Sequence, residues 1–217
     1  MNLLSINTTL PTKIEYQGRI ISTGIFKKPV TGPVFIAKDN LNGDQQADLK
    51  NHGGEHKAVY AFSSDHYPYW SKVLQNSELK PGIFGENLTI SGFDETSLNI
   101  GDQLGVGHCI LEVTQPRVPC FKLGIAVGNM NMPRLFIENF ATGAYLRVLQ
   151  EGFIEAGNAV EVIKEGQFKL SIQSVFRAYF DKEYRQPVSV MQKALLLPEL
   201  STEWRKKLSV RLVKINI

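Results

Sequence analysis

The order of apolar and polar positions divides the chain in two. Up to about residue 165 it predicts short strands between turns, at 2–7, 13–16, 19–22, 34–37, 58–62, 87–90, 103–106 and 109–114. In the last of these, Cys109, Leu111 and Val113 alternate with Ile110, Glu112 and Thr114, the two-residue period of a half-buried strand. Gly18, Gly32 and Asn42-Gly43 mark turns. Two helices interrupt the strands, at 64–74 and at 133–140, the second opening on a proline. Many short strands with Gly and Pro punctuation predict a β-barrel or sandwich.

After about Gly166 the texture becomes helical. Ile172, Val175, Phe176 and Tyr179 follow the i, i+3, i+4, i+7 stripe of an amphipathic helix. Pro187 is placed to open a second helix that ends before Pro198. Ser201 is placed to cap a third, running through Trp204, Leu208 and Leu212. The expected architecture is mainly β with α: a β domain over 1–165 and a small three-helix appendage over 166–217.

Composition narrows the classes. Lys plus Arg is 24 and Asp plus Glu 21, a net charge of +3. That suits an anionic small ligand and argues against a nucleic-acid partner, since no dense basic tract accompanies it. Two cysteines, Cys109 and Cys120, are too few for a disulfide framework and form no CxxC pair. No secretory leader pattern is seen at 1–10, and no apolar run approaches the ~18 residues of a membrane span. A reducing, cytoplasmic setting without membrane attachment is expected.

The candidate chemistry centres on Cys120, in Gln115-Pro116-Arg117-Val118-Pro119-Cys120-Phe121-Lys122. Two prolines stiffen the backbone before the thiol and exclude regular structure there. Arg117 and Lys122 flank it, and nearby cations favour the thiolate that binds soft metals. Cys109, inside the alternating strand, reads as structural. His52-Gly53-Gly54-Glu55-His56 has the HxxEH spacing of a zinc peptidase, but a glycine pair costs a helix ~2 kcal/mol relative to alanine. The segment reads instead as a turn into the next strand, able to offer backbone N–H groups, His56 and Lys57 to an anion. In Phe84-Gly85-Glu86-Asn87, Glu86 and Asn87 match the donors and acceptors of a polar heterocycle, although Asn and Gly also simply favour turns. Tyr145 and Arg147 share one strand face, Arg147 being suited to a phosphate or to an acidic neighbour. The basic residues Arg205, Lys206, Lys207, Arg211 and Lys214 read as a solvated helix face or, more sharply, as an electron-donor docking surface.

Gly43-Asp44, His52-Gly53-Gly54, His56-Lys57-Ala58-Val59, Phe84-Gly85-Glu86-Asn87, Gln115-Pro116-Arg117 with Pro119-Cys120, and Tyr145 to Val148 come in this order along the chain. Together they closely resemble the MOSC domain, named for the C-terminal domain of molybdenum-cofactor sulfurases. The helical tail resembles the three-helix extension of its YiiM-like branch. The resemblance implies a β-barrel fold with the molybdenum cofactor in a basic cleft and Cys120 as molybdenum ligand. It places His52, Gly53, Gly54, Lys57, Asn87, Arg117, Lys122 and Arg147 around the cofactor, and makes His56 or Glu86 the candidates for moving protons. It further implies reduction of N-hydroxylated substrates such as hydroxylaminopurines, with electrons from an external flavoprotein reductase. The pyridoxal-phosphate domain of the parent sulfurases is not expected in a chain of this length. The rival readings are a cofactor or persulfide-sulfur carrier using the same cleft without turnover, a zinc hydrolase on His52, Glu55 and His56, and a nucleic-acid module.

Overall fold

A computed structural model describes residues 1–48 and 53–215. The strands, in chain order, are β1 (Asn2–Thr8), β2 (Thr12–Tyr16), β3 (Arg19–Thr23), β4 (Lys28–Val30), β5 (Val34–Ile36), β6 (Val59–Ser63), β7 (Leu88–Ser91), β8 (Gln103–Val106), β9 (Cys109–Pro116), β10 (Ala144–Gln150), β11 (Gly152–Ile154) and β12 (Val160–Lys164). The helices are α1 (Tyr67–Leu74), α2 (Phe121–Val127), α3 (Met132–Asn139), α4 (Ile172–Phe180), α5 (Pro187–Leu195) and α6 (Thr202–Ile215).

Eight strands form one sheet in the order β12-β8-β9-β10-β6-β7-β1-β4. All neighbours are antiparallel except β6 and β7, whose parallel pairing needs the crossover that α1 provides. The sheet curls until the start of β1 meets the residues before β12. Leu3 N–H donates to Asn158 O at 3.0 Å, Gly157 N–H donates to Leu3 O at 2.7 Å, and Asn2 bridges Ala159. The expected barrel is therefore drawn together by a few bonds rather than by a full closing ladder. Two small ribbons, β2-β3 and β5-β11, stand outside the large sheet.

Strand alternation sorts side chains into two hydrophobic clusters. Val59 and Ala61 of β6 join an aliphatic interior with Leu88, Leu111 and Leu146. Tyr60 and Phe62, on the opposite face, join Trp70, Phe84, Leu123, Met132 and Phe136 beneath α1, α2 and α3. Phe62 is fully buried and lies 4.9 Å from Phe84 and 5.5 Å from Phe136, ring centroid to centroid. The helices α4, α5 and α6 do not build a separate core: Phe176, Met191, Trp204 and Leu208 belong to the same cluster as the sheet interior. Ser201 caps α6, its hydroxyl accepting from Trp204 N–H at 3.2 Å.

Candidate functional site

The segment after β9 carries Cys120 to the mouth of a cleft. The ladder to β10 ends at Pro116, and Pro119 keeps the backbone extended up to Cys120, the residue before α2. Arg117 N–H donates to Gly143 O at 3.2 Å, which ties the segment to the start of β10. Gly143 is required there. Its φ is +70°, and a Cβ would lie 2.3 Å from Ala61 O.

The cleft comprises about 640 Å³ of space when the open solvent at its mouth is included. Its lining includes Arg117, Cys120, Lys122, Lys57, Tyr60 and Tyr145, together with Thr23, Lys27, Asp44, Gln45, Gln46 and Asn87. The Arg117 guanidinium is 4% exposed and stacks 4.7 Å from the Tyr60 ring and 5.5 Å from the Phe136 ring. One Nη donates to the Tyr60 hydroxyl at 3.4 Å, and that hydroxyl donates to Thr142 O at 2.9 Å. No carboxylate among the described residues forms an ion pair with Arg117. Burial opposes its charge, but Tyr60, Tyr145, Cys120 and Glu86 outweigh that effect and leave its pKa raised. Burial likewise raises Tyr145, with Arg117 pulling the other way. Arg117 is thus a desolvated cation facing a cleft, an arrangement suited to an anionic ligand.

The other cations are engaged. Lys57 pairs with Glu203 of α6 and lies 5.7 Å from the Tyr145 ring centroid. Lys122 donates to Ser22 O at 3.0 Å. Lys27 pairs with Asp44, and burial lowers its pKa against the pull of that carboxylate. Asp44 also accepts from Thr9 N–H at 2.9 Å and from the Asn87 amide at 2.9 Å. The Asn87 carbonyl accepts from Tyr60 N–H at 3.1 Å. One network therefore ties together Lys27, Asp44, Asn87 and Tyr60 of the lining.

Of the residues expected from the sequence, Cys120, Arg117, Lys57, Lys122 and Asn87 come together at this cleft. His52 lies outside the described residues. Gly53 and Gly54 lead into a 3-10 turn, Glu55–Lys57, with Gly54 at φ +92°; neither glycine is among the lining residues. Three further expected residues, His56, Glu86 and Arg147, are not among the lining residues, and their side chains are engaged elsewhere. His56 sits in that turn beside Glu55 and away from the lining, its pKa lowered by burial, with Glu55 opposing and Arg147 assisting. Glu86 is fully buried under the cleft floor. It accepts from Gly82 N–H at 2.7 Å, Phe84 N–H at 3.1 Å, the Thr89 hydroxyl at 3.0 Å and the Tyr67 hydroxyl. Burial raises its pKa against those bonds. Arg147 faces Glu112 directly across the β9-β10 ladder and pairs with it.

Lys27, Tyr60 and Gln45 are cleft residues that the sequence reading did not select. Only Tyr60 had a readable signal: it belongs to the outward-facing set of β6. Cys109 is buried, and burial pushes its thiol up to about 11, in keeping with a structural role. Among the described residues no three His, Cys, Asp or Glu side chains group as a metal set. No helix among them is long and apolar enough to cross a membrane.

The family model for the MOSC domain matches residues 48–161, which include Arg117 and Cys120. The chain is a MOSC-domain protein. YflK of Bacillus subtilis is 37% identical over 205 residues, covering 94% of this chain and 91% of that protein. A protein of Gibberella moniliformis named Reductase is 33% identical over 170 residues, and the match spans 30% of its length. The crystal structure of YiiM from Geobacillus stearothermophilus superposes with a TM-score of 0.81 at 31% identity, covering 97% of this chain and 98% of that one. The MOSC match ends before α4, whereas the structural match takes in the helical tail.

Proposed function

We propose that this MOSC protein binds the molybdenum cofactor in the cleft through Cys120 and reduces N-hydroxylated compounds, such as hydroxylaminopurines, to amines. The observation that carries this reading is the sharing of one cleft by a thiol and a buried guanidinium with no carboxylate partner among the described residues. A soft thiolate suits a redox-active transition metal, and the guanidinium suits the anionic groups of a pterin cofactor. The family, and the name of the Gibberella relative, support a redox role.

The residues present fit the group. Cys120 would hold the metal; Arg117, Lys57 and Lys122 would hold its anionic parts; Tyr60 and Tyr145 would wall it. The bound cofactor supplies the two-electron chemistry, and the chain supplies ligation, orientation and field. Converting an N–OH to an N–H amine consumes two electrons and two protons and releases water. An external flavoprotein reductase is the proposed electron source. The protons would come from solvent reaching the open cleft rather than from His56 or Glu86, which are not among its lining residues.

The test is elemental mass spectrometry of wild type and Cys120→Ser, purified from a host that makes the cofactor. Loaded wild type is then assayed with a chemical reductant and an N-hydroxylated base. About one molybdenum per wild-type chain, lost in Cys120→Ser, together with amine formation, is the expected result. Molybdenum without turnover would leave a carrier. Its absence from both proteins, beside a loaded control protein, would overturn the reading.

A further inference from the structure

The last helix lies outside the residues matched by the MOSC model, yet its first turn is bonded to the end of β9, the strand that leads into Arg117 of the cleft lining. Ser201 N–H donates to Thr114 O at 3.2 Å, and the Trp204 indole N–H donates to Pro116 O at 3.0 Å, one residue before Arg117. With Ser201 capping α6, these two bonds fix the position of Glu203 between them. The Glu203 carboxylate pairs with Lys57, a residue of the cleft lining whose ammonium lies 5.7 Å from the ring centroid of Tyr145, also in the lining. Its other oxygen lies 3.5 Å from the ammonium of Lys207, one turn along the helix. The Lys57 side chain is 10% exposed and that of Glu203 38%.

We propose that Glu203 is an exchangeable internal counter-ion. Before a ligand enters, it satisfies Lys57, since a desolvated ammonium without a counter-charge is costly. When a ligand presents a phosphate-type anionic group, that group takes Lys57, and Glu203 retains Lys207 and solvent. The C-terminal helix thereby sets the anion affinity of the site and keeps Lys57 in place between occupants. This inference rests on the cleft being the ligand site, but not on the identity of the metal.

The experiment is isothermal titration of the ligand-free protein with inorganic pyrophosphate at low ionic strength. The proteins are wild type, Glu203→Gln, Lys57→Met and the double variant, with thermal midpoints confirming that each is folded. Glu203→Gln should bind roughly three- to tenfold tighter, the effect of removing one nearby, partly solvated negative charge. The double variant should bind no tighter than Lys57→Met. Equal or weaker binding by Glu203→Gln, a gain that survives in the double variant, or no binding by any of the four would overturn the proposal. Molybdenum content plays no part in this readout, so the two proposals fail separately.

Discussion

The two faces of β6 lead into interiors of different kinds. Val59 and Ala61 enter a core that is mainly aliphatic within the sheet and takes in Phe176 and Trp204 as it continues into the C-terminal helices, and any well-packed apolar set of the right volume would serve there. Tyr60 and Phe62 enter an aromatic cluster threaded by buried polar groups: Glu86, Asn87, Arg117 and Asp44. The first interior gives shape. The second holds a buried cation with no carboxylate ion-pair partner among the described residues, and the cleft opens beside it. Burial on the aliphatic side is a stability term throughout; on the aromatic side stability and ligand affinity separate.

The comparison breaks most sharply at residues that belong to the aromatic side yet only support it. Phe62→Ala should cost about 3–5 kcal/mol of unfolding free energy, because a fully buried ring touching Phe84 and Phe136 leaves a cavity. Denaturant unfolding measures it. Next comes Glu86→Ala, which strands the N–H groups of Gly82 and Phe84 and two hydroxyls. Each buried donor left without an acceptor costs about 1–3 kcal/mol, so a loss of at least about 3 kcal/mol is expected. If Glu86 were a proton donor to substrate, Glu86→Gln would abolish turnover while leaving stability intact. The hydrogen bonds predict a stability loss first.

Arg117→Met sharpens the distinction by moving the two quantities in opposite directions. The guanidinium is desolvated without a carboxylate partner, and replacing buried charges by apolar groups of similar volume ranges from neutral to stabilising by about 1–4 kcal/mol. Stacking on Tyr60 and Phe136 offsets part of that, so an unfolding free energy unchanged or raised by about 1 kcal/mol is expected. Pyrophosphate affinity and molybdenum content should fall together. A variant that lost stability instead would show that Arg117 is a structural cation and that the two interiors are alike.

Much of this division is visible in the sequence, for identifiable reasons. β9 and α4 both appear where their patterns put them, but β9 is buried on both faces: Glu112 pairs with Arg147 and Thr114 donates to His56 O, so the polar half of the alternation marks internal partners rather than solvent. Cys120, Arg117 and Asn87 are legible because proline and glycine punctuation fixes local backbone regardless of tertiary context. Three-residue strands such as β4 and β11 carry too few positions for a period. The β12 segment Val-Glu-Val-Ile-Lys does alternate at its start, but only Val160 is buried. An acidic neighbour for Arg147 is one of two readings the sequence allows, but that it is Glu112 depends on the ladder register; Glu86 turning back onto the N–H groups of Gly82 and Phe84, and joined by the hydroxyls of Tyr67 and Thr89, has no sequence signature. The pairing of Lys57 with Glu203 spans even more of the chain and has no local signature.

The smallest effect tests the edge of the aromatic side. The His66 ring stacks 5.5 Å from Phe62, and its Nε2 lies 2.8 Å from Glu95 Oε2. Glu95 also accepts from Gly143 N–H at 2.9 Å, so the pair reaches the glycine at the start of β10. Burial opposes the imidazolium, but the hydrogen bond and charge of Glu95, with Asp65 and Asp94, outweigh it and raise the His66 pKa above its ordinary value. A group whose folded pKa is raised contributes stability that is fully present below its unfolded pKa and is lost as pH rises through the folded one. Stability should therefore decline as pH climbs from about 6 through the raised value, by under about 1 kcal/mol for a partly exposed pair. Opposing this, His56 has a lowered pKa and becomes costly only when protonated at lower pH, so its contribution runs with the opposite sign. Comparing the pH profile of the unfolding midpoint in wild type with that of His66→Gln isolates the first term. A slope above pH 6 that persists unchanged in His66→Gln would assign it to another group and remove the charged link between the aromatic cluster and Gly143.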